Sequence, residues 1–197
     1  MENKNQGKIF ILCGCSASGK TAIFRGAQKY VPDLEICCKA TTRELREDEQ
    51  EGIDFFIMKH QKFYEMEKNR DFVDVSGRYN CRYGIIGSWL EGKTYQGIDV
   101  GIYTHTYESF NRTKANLTDN GYSRIISVAV LADIGEIERR LERRKGETPE
   151  RVTVRLNLVR DEQESVESHL DAYDFVIRNV DLDRSIVYFT EIVTGDR

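Results

Sequence analysis

Gly14-Cys15-Ser16-Ala17-Ser18-Gly19-Lys20-Thr21 has glycine, four residues, glycine-lysine and then a hydroxyl residue, the spacing of a phosphate-binding loop. Ahead of it, Lys8-Ile9-Phe10-Ile11-Leu12-Cys13 reads as a buried parallel strand. Behind it, Ile23, Ala27 and Tyr30 fall on one face of a helix. Gly14 and Gly19 let the backbone turn and gather its N–H groups around an anion. The helix N-terminus adds partial positive charge at the same place. Lys20 supplies a full charge to outer phosphates, and the Thr21 hydroxyl suits Mg²⁺. A plain glycine turn with an exposed lysine would need neither the strand nor the helix.

Outward from the loop, the 197 residues suffice for one domain of ordinary size. The net charge of −4 gives no sign of a general nucleic-acid binder. Residues 1–7 are polar and lack the apolar centre of a signal peptide, and no apolar run reaches membrane-spanning length. Cys13, Cys15, Cys37, Cys38 and Cys81 are odd in number and form no Cys-x-x-Cys pair, which fits reduced thiols in the cytoplasm. His60, His105 and His169 are scattered and show no metal-ligand spacing.

Leu34–Cys38, Phe55–Ile57, Phe72–Val75, Asp99–Thr104, Arg124–Leu131 and Asp174–Ile177 read as strands. Phe63, Met66 and Glu67 mark a short helix. Ile85 or Ile86 with Trp89 and Leu90 mark another, after a polar, aromatic turn over 79–84. Ile134, Ile137 and Leu141 place a helix on the core. Thr148-Pro149-Glu150 reads as cap, first-turn proline and first-turn acid of a long helix that buries Val152, Leu156 and Val159. Leu182, Ile186 and Phe189 mark a closing helix. Strands alternating with helices predict an α/β fold with a parallel sheet covered on both faces. The strand-rich stretch 37–97 reads as an insertion into it. Thr41 to Gly52 is highly charged; a solvated loop and a dianion site built on Arg43 and Arg46 both fit its composition.

Five motifs in order resemble the guanylate kinase family over nearly the whole chain. The first is the Gly14–Thr21 loop, with Ala17 where the family usually has glycine. Next come Thr41-Thr42-Arg43-x-x-Arg46-x-x-Glu49-x-x-Gly52-x-Asp54-Phe55, and Phe72-Val73-Asp74 with Tyr83-Gly84. Glu138-Arg139-Arg140-Leu141-x-x-Arg144 with Arg155-Leu156, and Tyr173-Asp174-Phe175-Val176-x-x-Asn179-x-Asp181-Leu182, complete the set. The resemblance implies a P-loop three-layer sandwich with core 1–36, 98–133 and 160–197, an acceptor-binding insertion 37–97 and a helical lid 134–159. It implies an ATP- and Mg²⁺-dependent kinase whose partners are small nucleotides, with no nucleic acid or membrane, acting as a monomer or homodimer. Gly14, Cys15, Ser16, Ala17, Ser18, Gly19, Lys20, Thr21 and Asn179 would serve ATP, and Thr21 the metal. Lys20, Arg140, Arg144 and Arg155 would neutralise the transferring phosphoryl group, although a solvated basic helix would carry such arginines too. Arg43, Arg46 and Tyr83 would hold the acceptor's phosphate.

The base-reading positions depart from the family. Lys39 stands for a serine, Ile85 for a serine or threonine, Asp74 for a glutamate, and Tyr103-Thr104-His105 for an Asp-x-Asp strand end; Phe55 lacks a tyrosine hydroxyl. Asp74 is left as the acidic reader, matched to the N1–H and amine of guanine. Lys39 suits either guanine O6 or pairing with Asp74. GMP or dGMP is the expected acceptor, with weaker base discrimination than the family norm. A kinase of another phosphate ester, such as a modified deoxynucleotide or a sugar phosphate, and a non-catalytic phosphopeptide-binding module are the alternatives.

Overall fold

The computed structural model describes residues 7–45, 47, 49–78, 80–142 and 149–196. Along the chain come β1 (Ile9–Cys13), α1 (Lys20–Gln28), β2 (Leu34–Ile36), β3 (Lys39–Thr41), β4 (Phe55–Ile57), α2 (His60–Lys68), β5 (Phe72–Arg78) and β6 (Cys81–Ile86). They are followed by α3 (Gly87–Tyr95), β7 (Asp99–Thr104), α4 (Tyr107–Asp119), β8 (Ile125–Leu131), α5 (Ile134–Glu142), α6 (Pro149–Glu167), β9 (Phe175–Arg178) and α7 (Leu182–Thr194). The fold is α/β. One sheet has the strand order β2-β7-β1-β8-β9, and a second has β4-β3-β6-β5. The chain divides into two compact units, one containing Asp33–Ile102 and Asn111–Ile125, the other Phe10–Pro32, Tyr103–Phe110 and the residues from Ile126.

In the first unit, β3 pairs parallel with β4 and antiparallel with β6, and β6 pairs antiparallel with β5. Phe63 of α2 stacks on Phe72 of β5 with ring centroids 4.6 Å apart, which covers that end of the sheet with apolar surface. Side chains directly opposite each other across strands share a face, and so do alternate residues along one strand. Thr41 opposes Tyr83, Tyr83 opposes Ser76, Ile85 opposes Asp74, and Lys39 opposes Phe55. Lys39, Phe55, Asp74, Tyr83 and Ile85 therefore occupy one face of the second sheet.

All five residues of β1 are buried, as its unbroken apolar run demands, and all but Ile9 belong to the second unit. In that unit β8 and β9 run parallel, Val128 opposite Phe175, and the Asp174 carboxylate accepts from the Ser127 N–H at 2.8 Å and hydroxyl at 2.7 Å. Helices α1 and α7 pack together through Phe24 and Phe189, and Phe10 meets Phe189 edge-on. They approach closely at Gly26, where a Cβ would lie 2.4 Å from Ile186 Cδ1. Ile137 and Leu141 of α5 and Val159 of α6 cluster with Cys15 and Ala132.

Four local expectations need correction. Helix α1 ends at Gln28, so Tyr30 lies outside it and is exposed. The strand expected over Leu34–Cys38 ends at Ile36, and a new strand in the second sheet begins at Lys39. Residues 81–84 are not a turn but the start of β6. The hairpin turn lies one step earlier, at Asn80 with φ 60°, and pairing with β3 and β5 outweighs the weak β propensity of Arg82 and Gly84. Helix α4 has no counterpart in the sequence reading. Its buried residues Phe110, Thr113 and Leu117 are helically spaced, but the threonine interrupts the apolar pattern. Val152 and Thr148 lie outside the described side chains, while Pro149 is the first residue of α6, as expected.

Phe189 is fully buried between Phe10 and Phe24. Phe189→Ala is expected to cost about 3–5 kcal/mol. The measurement is a urea titration, with a lower midpoint at nearly unchanged slope; a loss under about 1 kcal/mol would contradict this account of the core.

Candidate active site

The loop from Gly14 to Thr21 is shaped by sterics at both ends. A Cβ at Gly14 would lie 2.2 Å from Val130 O. Gly19 has φ 103°, and a Cβ there would lie 2.1 Å from Asn179 Nδ2. Ala17 also has positive φ, 62°, in the small left-handed region where a non-glycine residue is strained. Alanine thus holds the backbone region that a glycine would adopt freely.

Lys20 is buried, and its ammonium donates to Gly14 O at 2.5 Å and Cys15 O at 2.8 Å. Arg140 Nη1 donates to Ala17 O at 3.1 Å and is steadied through Nε by Glu136 at 3.0 Å. Asn179 Nδ2 donates to Ser18 O at 2.8 Å, while its Oδ1 accepts from the Ser185 hydroxyl. The Ser16 N–H donates to Glu162 Oε2 at 3.1 Å. A carboxylate thus takes a loop N–H, as expected of an anion-selecting backbone. Thr21, the second residue of α1, is exposed. The second unit brings together the whole loop, Lys20, Arg140 and Asn179. Arg155 lies half-buried on α6, and Arg144 lies outside the described residues.

The first unit brings together Lys39, Arg43, Phe55, Asp74, Tyr83 and Ile85. Arg43 Nε donates to Tyr83 Oη at 3.2 Å, and its guanidinium lies 4.9 Å from the centroid of the Phe55 ring. Nη1 and Nη2 each donate to Glu49 at 2.7 Å, a bidentate fork. Burial opposes the charge on Arg43, but Glu49 and Tyr83 outweigh it and hold the group above its ordinary pKa. Arg46 lies outside the described residues. His105 belongs to the second unit, in the turn between β7 and α4, where its N–H donates to Ser109 Oγ at 3.2 Å.

Asp74 is buried, and its carboxylate is fully engaged. Oδ1 accepts from Arg112 Nε at 3.0 Å and Asn116 Nδ2 at 2.8 Å; Oδ2 accepts from the Thr113 hydroxyl at 2.8 Å and Arg112 Nη2 at 3.5 Å. Burial pushes the nearby Lys39 ammonium below its ordinary pKa, with Asp74 opposing that shift and Arg112 reinforcing it. Sequence reasoning misses Arg112, Thr113 and Asn116 because it misses α4. The available signal is Thr106-x-x-Ser109, whose hydroxyls cap the helix start, with Ser109 N donating to Thr106 Oγ1 at 3.2 Å.

A strand, a glycine-bounded loop with lysine inside it, and a helix starting on that lysine define a P-loop fold. A crystal structure of guanylate kinase from Anaplasma phagocytophilum superposes with a TM-score of 0.70 at 20% identity, covering 98% of this chain and 87% of that one. The sequence model of the guanylate kinase family matches residues 6–195. A guanylate kinase of Rickettsia felis is 29% identical over all of this chain and 98% of its own length; one of Paramagnetospirillum magneticum is 28% identical over 98% of this chain and 86% of its own. The chain belongs to the guanylate kinase family.

The loop cysteine is buried. Burial pushes the Cys15 thiol up to about 11, against the opposing pull of Lys20, and pushes Cys37 and Cys38 each up to about 12. Cys13 is raised by burial as well. Because the thiolate is the reactive form, all four should resist alkylation at about pH 8. Iodoacetamide on the native protein is expected to give one adduct, at the half-exposed Cys81, and five adducts after unfolding. Mass spectrometry showing rapid native labelling of Cys15 would contradict the burial argument.

Proposed function

We propose that the protein transfers the γ-phosphoryl group of ATP to the monophosphate of GMP or dGMP. The observation that supports it most is the Lys20 ammonium held against two loop carbonyls in a chain of the guanylate kinase family. The loop shape suits a polyphosphate and needs glycine at both ends, because a Cβ would collide with Val130 O at Gly14 and with Asn179 Nδ2 at Gly19. Exposed Thr21 fits as one ligand of Mg²⁺, whose other ligands are water and phosphate oxygens. When bound, the metal neutralises phosphate charge. Lys20 and Arg140 would supply the chain's own positive charge to the phosphoryl group, joined by Arg144 and Arg155 from a lid over 134–159.

Arg43 and Tyr83, with Arg46, would hold the acceptor's dianion; Glu49 presets the guanidinium and shares it with the phosphate. The partners proposed are small nucleotides. Among the described residues no helix is long and apolar enough to cross a membrane. Five free cysteines support a reducing compartment, the cytoplasm. The remaining site assignments, Cys15, Ser16, Ala17 and Ser18 around ATP and Lys39, Phe55, Ile85 and His105 around the acceptor, rest on the same family reading.

Lys20→Ala is expected to abolish transfer to every acceptor and weaken ATP binding. Arg43→Ala should raise the acceptor KM by roughly 10-fold or more while leaving the ATP Kd within about 2-fold, since a charge-assisted pair contributes about 1.5–3 kcal/mol. A coupled assay for ADP with GMP as acceptor, and calorimetry for ATP, check both. Near-normal turnover by Lys20→Ala would remove the kinase reading, and equal loss of ATP and GMP binding in Arg43→Ala would make that arginine structural.

A further inference from the structure

Asp74 has four hydrogen bonds to side chains of α4, two on each oxygen. A carboxylate offers about four lone-pair sites, so guanine N1–H and amine donors would have to displace existing partners. The residue that gains by this arrangement is Arg112. Its Nε and Nη2 face Asp74, which leaves the Nη1 hydrogens and one Nη2 hydrogen as a second fork, and the side chain is 44% exposed. Asp74 lies opposite Ile85, on the sheet face that also carries Tyr83, and Tyr83 is two residues from Ile85 along β6. That spacing is about 7 Å along the strand. A phosphate held by Arg43 and Tyr83, with its nucleoside lying along this face of the sheet, would bring its base to the Asp74 row.

We infer that Arg112 is the specificity-determining residue of the acceptor site. It reads a base edge that presents two adjacent acceptors, which in guanine are O6 and N7, with Asp74 as its positioning residue. This inference rests on the acceptor assignment made above. An arginine fork matches guanine O6 and N7 with both bonds, whereas adenine places an amine where O6 would be. The carboxylate fixes the fork, and Thr113 and Asn116 fix the carboxylate. The Arg112 guanidinium beside a single, already engaged acid also disfavours a base edge of donors.

The two edges of guanine can be tested separately. IMP keeps O6 and N7 but lacks the amine; 7-deaza-GMP keeps the amine and N1–H but lacks N7. For the wild type, IMP is expected within about 3-fold of GMP in kcat/KM, and 7-deaza-GMP roughly 10- to 100-fold below it. Arg112→Lys keeps the charge beside Asp74 but loses the fork. It should bring GMP and 7-deaza-GMP within about 3-fold of each other, with an unchanged ATP Kd; Arg112→Ala should do the same if it folds. Wild-type 7-deaza-GMP equal to GMP, or IMP falling by about 10-fold or more, overturns the inference. So does Arg112→Lys retaining full discrimination. If GMP binds by calorimetry but is not phosphorylated, the kinase reading fails alone, and the same order of analogues in Kd decides the role of Arg112. If none of the three nucleotides binds, both fail.

Discussion

A loop can offer its N–H groups to an anion only if its carbonyl oxygens are satisfied elsewhere. Each backbone unit carries both, and an exposed ring of carbonyls would repel phosphate. The Gly14–Thr21 loop meets this condition with its own lysine and with two side chains from distant parts of the sequence. Lys20 covers Gly14 O and Cys15 O, Arg140 covers Ala17 O, and Asn179 covers Ser18 O. Asn179 follows β9, so the loop's shape depends on where that strand ends, and β9 is in turn tied to β8 through Asp174 and Ser127. The amide is itself oriented by Ser185 at the start of α7. Removing the Lys20 or the Asn179 donor would leave the buried carbonyl of Gly14 or Ser18 without that bond, a cost of about 1–3 kcal/mol.

The same logic governs the first unit with the signs reversed. There the buried group is an anion, Asp74, and the satisfying donors come from one helix. Arg112 and Asn116 are four residues apart, so they rise from one face of α4, and Thr113 lies three from Asn116. Leaving a buried charge without its partner costs about 3–5 kcal/mol, so the network holds the helix and the sheet of this unit in fixed register. Lys39 adds a second cation whose charge is weakened by burial. Arg43 is handled differently: Glu49 and Tyr83 orient it while its ring contact with Phe55 stays apolar. The aromatic ring without a hydroxyl still serves as a platform for the guanidinium.

The P-loop is legible in the sequence because strand, glycines, lysine and helix are adjacent and the local chemistry admits few other readings. Strands such as β1 and β8 are legible for a similar reason, since fully buried parallel strands need unbroken apolar runs. The face shared by Lys39, Phe55, Asp74, Tyr83 and Ile85 is reachable only through family resemblance, because it depends on the register of four strands. What the sequence hides is pairwise partnership. Nothing local marks Arg112 as the partner of Asp74, 38 residues away. Helix α4 has a buried threonine at the centre of its inner face, where pattern reading expects an aliphatic residue, and that threonine is there to bond the aspartate.

A buried polar residue at an apolar position is therefore the trace of a coupled set. Thr113 alone would carry an unsatisfied hydroxyl, and Asp74 alone an unsatisfied charge. Together with Arg112 and Asn116 they form a group in which both carboxylate oxygens have donors. Aspartate fits this group better than glutamate, since the shorter chain keeps the carboxylate back against the helix and leaves the guanidinium to reach outward. Asp74 and Arg112 are thus one structural unit, in which a buried acid supports a partly exposed guanidinium.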